Sequence, residues 1–285
     1  MERLRTSMYI NRLQLMVAVL LLFLVLTAYS LSSKTDNKEN FPAVKISTKI
    51  PKQNLKSQSI KQVYPSEIID LTNWKLTLPI GQSENPTEIQ QPELASFIFD
   101  PWFIVAPVGS GVRFRAAVNG VTTKNSDYPR SELREMTNNG MTRAAWLSKS
   151  GTHTMFIDQA ITAVPKKKKH IIAGQIHDKN DDVIVVRLDH PKLHIKVGDK
   201  IVRTLDSDYV LGERFTVKFV VKGNKTSIYY NGNQNSAYTL NKEYSSAYFK
   251  AGAYTQSNCQ REGSSLCADN NYGEVIIYKV EVTHQ

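Results

Sequence analysis

From Tyr64 onward, turn-forming pairs cut the chain into short apolar runs. Asn119-Gly120, Asn139-Gly140, Lys222-Gly223-Asn224 and Asn231-Gly232 are the clearest breaks, and such residues supply the positive φ that tight turns need. The runs between them alternate or are β-branched. Val183 to Leu188 is one, Phe215 to Val221 another, and Glu274 to Val282 a late third. Thr226 to Tyr230 is expected to pair with Phe215 to Val221 across the Lys222-Gly223-Asn224 turn. Helical periodicity is weak, and its best stretch is Pro92 to Phe97. Many short strands without intervening helices predict an all-β sandwich. No internal repeat and no second folded domain are visible.

Strand alternation also says which side chains share a face. Three segments are informative: Tyr128 to Glu135, Gly174 to His177, and Tyr248 to Gln256. One face collects Arg130, Glu132 and Arg134, then Gln175 and His177, then Tyr248, Lys250, Tyr254 and Gln256. Leu133, Ile176, Phe249, Ala251 and Ala253 fall on the opposite faces and suit a core. The polar set describes a cationic cleft able to move protons. Arg and an amide are partners for a carboxylate, His is a base near neutral pH, and Tyr can give or take a proton. A neutralised carboxylate acts as an electron sink, so the proton on the adjacent carbon becomes removable and an ether oxygen one carbon further can leave. That is β-elimination on a 4-linked polyuronate. It calls for no metal, cofactor or nucleophile.

The same segments resemble the three motifs of the alginate lyases of polysaccharide lyase family seven. The family pattern is R-(S/T)-E-L-(R/K), Q-(I/V)-H and Y-F-K-A-G-x-Y-x-Q. All three occur here in family order, as Arg130 to Arg134, Gln175 to His177 and Tyr248 to Gln256. Asp70 to Pro79 resembles the start of that domain, and the likeness covers roughly residues 64 to 285. It implies a two-sheet jelly roll with a concave substrate cleft. In the roles implied, Arg130 and Gln175 neutralise the uronate carboxylate, His177 removes the C5 proton and Tyr254 protonates the departing O4. Arg134, Tyr248, Lys250 and Gln256 are expected as substrate contacts, and Glu132 as a member of that set that orients the two arginines. Isoleucine in the Q-I-H motif goes with guluronate-containing blocks. The expected enzyme is an endo-acting alginate lyase, monomeric in its catalytic domain, whose partner is an anionic polysaccharide. The rival reading is a non-catalytic polyuronate-binding jelly roll, which needs Arg and Lys but no aimed His and Tyr. A jelly-roll glycoside hydrolase would need paired carboxylates, and no E-x-D-x-x-E strand is present.

Charge is unevenly spread. Residues 1–62 hold ten Lys or Arg against three acidic residues, which is +7 of the chain's +10. The basic balance therefore belongs to the N-terminal segment and says little for nucleic-acid binding by the folded part. Residues 1–31 read as a targeting segment: Arg3, Arg5 and Arg12 precede an apolar run, and Ala28-Tyr29-Ser30 suits cleavage. Leu13 to Leu31 is almost long enough to span a bilayer. A cleaved signal peptide and an uncleaved membrane tether through residues 13–31 both stay open, and both predict export to the medium or the cell surface. Residues 32–62 read as a disordered basic linker, and 63–285 as the catalytic domain.

Cys259 and Cys267 are the only cysteines. In an exported chain they predict a disulfide closing a short loop beside the cleft, worth about 2.5 kcal/mol by chain entropy. Lys166 to Lys169 form a run read either as a solvated turn or as a steering patch for a polyanion. His190 and His194 are expected in a surface loop, since two His without a third ligand are weak support for zinc. His153, His170 and His284 have no supporting context.

Overall fold

The structure, a computed structural model, describes residues 62–107 and 110–285. The expected targeting segment and nearly all of the expected linker lie outside the described residues. Among the described residues no helix is long and apolar enough to cross a membrane.

Strands dominate. In chain order they are β1 (Trp74–Gln82), β2 (Asn85–Ile89), β3 (Phe103–Val105), β4 (Val112–Ala117), β5 (Arg130–Thr137), β6 (Thr142–Arg143), β7 (Thr152–Ala163) and β8 (His170–His177). Then follow β9 (Asp182–Asp189), β10 (Lys192–Val197), β11 (Lys200–Asp206), β12 (Arg214–Lys222), β13 (Lys225–Tyr230), β14 (Tyr238–Asn241), β15 (Tyr248–Thr255) and β16 (Tyr272–His284). A four-residue helix, α1 (Cys259–Glu262), sits between the last two. The Pro92 to Phe97 stretch forms only a 3-10 turn over Glu93–Ser96.

The strands make two antiparallel sheets in a jelly-roll sandwich. One runs β11-β10-β9-β8-β15-β5-β1-β2 with β6 beside β5; the other runs β14-β13-β12-β7-β16-β4-β3. The expected hairpin is β12–β13, whose last pair is Lys222 with Lys225. β12 shows why alternation was readable. Phe215, Val217, Phe219 and Val221 point inward and are buried, while Arg214, Lys218 and Lys222 are exposed. Leu76, Leu133, Ile176, Ala251 and Ile195 from the first sheet meet Phe114, Ile157, Phe219 and Val275 from the second, all at 0% exposure. Burying each large apolar side chain contributes about 1.5–3 kcal/mol. This core fixes the first sheet, so its other face can carry polar groups.

The structure corrects the surface-loop placement of His194. The β9–β10 connection is only His190-Pro191, so His194 already lies within β10 and is buried. Leu193 and Ile195 point to the core, which turns His194 to the opposite face, where its Nδ1 is 3.2 Å from Thr204 Oγ1. His153 and His284 also find context. Their Nδ1 atoms are 2.7 Å apart, and His284 Nε2 is 2.6 Å from Glu135 Oε1. They tie the last strand to β5.

Candidate active site

Strand order brings the three polar segments together. β15 lies between β5 and β8, so Lys250 stands opposite Arg134 on one side and Gln175 on the other. Tyr248 pairs with His177, and Tyr254 with Arg130. Between Lys250 and Tyr254, Gly252 faces Glu132 with φ +137°. A Cβ there would lie 2.6 Å from the Ser131 carbonyl oxygen and 2.9 Å from Glu132 Cα. Glycine lets the two strands close at this point.

The result is a cleft of about 800 Å³ lined by Arg130, Arg134, Gln175, His177, Tyr248, Lys250 and Tyr254 among others. Its floor is organised by Glu132, which is 1% exposed. Lys250 Nζ lies 2.6 Å from Glu132 Oε2, Arg130 donates to the same oxygen at 3.3 Å, and Gln175 Nε2 donates to Oε1 at 2.6 Å. Burial alone would raise the Glu132 carboxyl, but Lys250 and Arg130 more than offset it and hold it below the usual range. Lys250 responds the other way: burial, with Arg130 beside it, pulls its ammonium down to about 8 despite Glu132.

The contacts of His177 fix its tautomer. Its Nδ1 lies 2.7 Å from the Asp178 carbonyl oxygen. A carbonyl can only accept, so Nδ1 carries the hydrogen and Nε2 keeps its lone pair. Burial pulls the imidazole below its ordinary value; the Asp178 contact opposes this and Lys250 adds to it. The ring stacks on Tyr248 with centroids 5.3 Å apart, and the Arg134 guanidinium lies 4.0 Å from the Tyr248 ring centre on β15. Across the cleft the Arg130 guanidinium lies 3.8 Å from the centre of the Tyr254 ring. The Tyr254 hydroxyl is 2.8 Å from Ser126 Oγ, and Ser126 Oγ accepts the Tyr128 N–H at 3.1 Å. Among described side chains, Arg130 Nε is buried without a hydrogen-bond partner. That unsatisfied donor beside a cationic floor is free to pair with an incoming acceptor.

The alginate lyase family profile matches residues 69–284. The chain belongs to the alginate lyases, polysaccharide lyase family seven. A crystal structure of the alginate lyase from Corynebacterium sp. is 50% identical and covers 79% of this chain and 99% of its own, with a TM-score of 0.75. Alginate lyase AlgAT5, from polysaccharide lyase family 7, is likewise 50% identical, covering 78% of this chain and 99% of its own at a TM-score of 0.74. A curated alginate lyase of Klebsiella pneumoniae is 26% identical over 288 residues, or 77% of this chain and 91% of that protein.

In this lyase Arg130, Arg134, Gln175, His177, Tyr248, Lys250 and Tyr254 all reach the cleft. Two members of the expected set do not. Glu132 is sealed beneath the floor and does not line the cleft; it holds the cationic groups from below. It holds Arg130 but not Arg134, which donates instead to the Glu135 and Ala144 carbonyls at 2.7 and 3.2 Å. Gln256 lies past the end of β15, is buried, and is not among the residues lining the cleft. The strand ends at Thr255, whose N–H bonds the Pro129 carbonyl and whose Oγ1 donates to the Ala116 carbonyl. Alternation therefore stops carrying information at that point.

Other lining residues were missed. Lys75 and Thr77 of β1 face the cleft, alternating with the core residues Leu76 and Leu78. That alternation was available as a signal. Ser126 comes from the β4–β5 loop and Asp178 to Asp181 from the β8–β9 loop, with Asp182 opening β9. Loop residues have no period that would have pointed to them. Burial, with Asp181 beside it, pushes Asp182 up to about 6.

The disulfide between Cys259 and Cys267 is formed. Of the lysine run, Lys166, Lys167 and Lys169 are exposed while Lys168 is half-buried against Tyr128. Lys168 is thus the one member of the run held by the ring and hydroxyl of Tyr128.

Proposed function

We propose that the chain cleaves guluronate-containing alginate within the polymer by β-elimination. Arg130 and Lys250, with Gln175 between strands, meet the uronate carboxylate and stabilise the charge that builds on it as the C5 proton leaves. His177 Nε2 takes that proton. The C4–O4 bond then breaks, Tyr254 gives its proton to O4, and the product carries a C4–C5 double bond at its new non-reducing end. Ser126 holds the Tyr254 hydroxyl. Arg134 and Tyr248 contact a neighbouring sugar. The guluronate preference rests on Ile176 in the Gln-Ile-His motif, and suits a base and an acid carried by separate side chains. The protein groups themselves neutralise the carboxylate, so the mechanism calls for no metal.

The observation that carries this reading is His177, its Nδ1–H held by the Asp178 carbonyl, sharing one cleft with Tyr254 over a cationic floor. The test is ultraviolet absorbance of the unsaturated product from guluronate-rich and mannuronate-rich polymer, with and without chelator. His177→Ala and Tyr254→Phe should each lower turnover by roughly 10²–10⁴-fold, with much smaller changes in affinity. Wild-type rates in both variants would remove the acid/base pair. Binding of alginate by the unmodified protein with no product at all would favour a binding module.

A further inference from the structure

The lysine run and the disulfide loop meet at Tyr128, in the segment that leads from Ser126 to Arg130. Lys168 Nζ donates to the Tyr128 hydroxyl at 2.8 Å and lies 4.6 Å from the centre of its ring. Arg261, on α1 inside the disulfide loop, approaches the same hydroxyl. Neither cation has a salt-bridge partner among the described residues. Two positive groups converge on one phenol with no carboxylate to balance them.

The placement is built. Glu262, 3% exposed, accepts the backbone N–H groups of Lys167 and Lys168, each at 2.8 Å, through its two oxygens. The same carboxylate accepts Ser257 Oγ at 2.6 Å and Asn271 Nδ2 at 3.0 Å. Asn258 caps α1 by accepting the Arg261 N–H at 3.0 Å, and donates to the Asp127 carbonyl at 3.1 Å. One buried acid thus fixes the lysine turn while the loop it belongs to presents Arg261. Burial would push the Tyr128 phenol up, yet Lys168 and Arg261 more than offset this and hold it below its usual value.

We propose that Tyr128, Lys168 and Arg261 form a carboxylate subsite for the polymer, next to the Tyr254 end of the cleft and outside the sugar that undergoes elimination. This rests on the polyuronate reading of the cleft. Ser126 makes the join: its Oγ bonds both the Tyr254 hydroxyl and the Tyr128 N–H. A carboxylate arriving here would complete the hydrogen bonding of two cations that lack an acid, and would anchor chains long enough to reach.

Lys168→Gln and Arg261→Gln are compared with the unmodified protein on long alginate and on the shortest oligosaccharide it cleaves. Each should raise KM for the polymer about three- to fivefold, as expected for a partly exposed charge pair, and the rise should vanish on the short oligosaccharide. Lys168→Arg, which keeps the charge, should restore the polymer KM. Lys166→Gln and Lys167→Gln serve as controls, since those side chains are exposed. An equal rise in the controls would replace the subsite with diffuse steering. An equal rise on the short oligosaccharide, or none on the polymer, would also overturn it. If the unmodified protein yields no unsaturated product, the elimination reading falls, and equilibrium affinity for long alginate decides the subsite: no loss in Lys168→Gln and Arg261→Gln would overturn it.

Discussion

Two buried glutamates, Glu132 and Glu262, do opposite things with their charge. Glu132 gathers two charged side chains, Lys250 and Arg130, together with the Gln175 amide. Glu262 gathers neutral donors, namely two backbone amides, a hydroxyl and an amide side chain. Both carboxyls are held below their ordinary value. At Glu262 the neutral dipoles offset its burial, so its removal disturbs geometry alone. At Glu132 the charge is answered by cations that meet the substrate in the proposed mechanism, so its removal is expected to disturb both folding and chemistry. The first acid organises the cations of the cleft; the second holds a loop.

The sharpest way to break this contrast is Glu132→Gln. Removing one partner of a buried ionic cluster typically costs about 3–5 kcal/mol of stability, and misplacing Arg130 and Lys250 should lower turnover roughly 10²-fold. Chemical denaturation and product absorbance read the two effects. Adding Lys250→Met should recover much of the stability without the turnover. If the double variant regains activity, Glu132 is only a structural partner. A smaller effect is expected from Glu262→Gln, which leaves the site's cations untouched. It should cost about 1–3 kcal/mol in stability through weakened or lost hydrogen bonds, and leave turnover on short oligosaccharides within about threefold. A turnover loss matching that of Glu132→Gln would erase the distinction.

The pH profile of kcat/KM gives the finest test. His177 must be neutral to act, and burial holds it below 6.5, so the acid limb should fall below that pH. Lys250 must be charged to meet the carboxylate, and it sits at about 8, so activity should decline as pH rises through that value. Glu132 raises the Lys250 value, so Glu132→Gln should move the alkaline limb to lower pH. Glu262→Gln should move neither limb. Unmoved limbs in both variants would show that Lys250 does not set the alkaline side.

Much of the site was legible because alternation is a local rule. Arg130 and Arg134, Gln175 and His177, and Tyr248, Lys250 and Tyr254 all reach the cleft as their parity requires. The same rule put Glu132 on that face, yet gave no hint of depth. Lys250 and Gln175 cover it from neighbouring strands, and no local pattern encodes that. Gln256 shows the other failure, since parity was extended one residue beyond the strand. Ser126 escaped, and Lys168 could not be told apart from the rest of its lysine run, because each depends on a partner distant in sequence: Ser126 meets a tyrosine 128 positions away, and Lys168 is set by a glutamate 94 positions away.

The sequence by itself determined that this chain is all-β, which side chains share each strand face, and which acid/base groups are present in order. Those properties follow from turn residues and a period of two, which each segment carries alone. The tertiary structure decided that β15 lies between β5 and β8, that Glu132 is a sealed hub, and that a disulfide loop reaches the lysine turn. Strand neighbours and buried charge partners are selected by which distant segments bury one another's apolar faces and satisfy one another's polar atoms, and that balance exists only once the whole sandwich has closed.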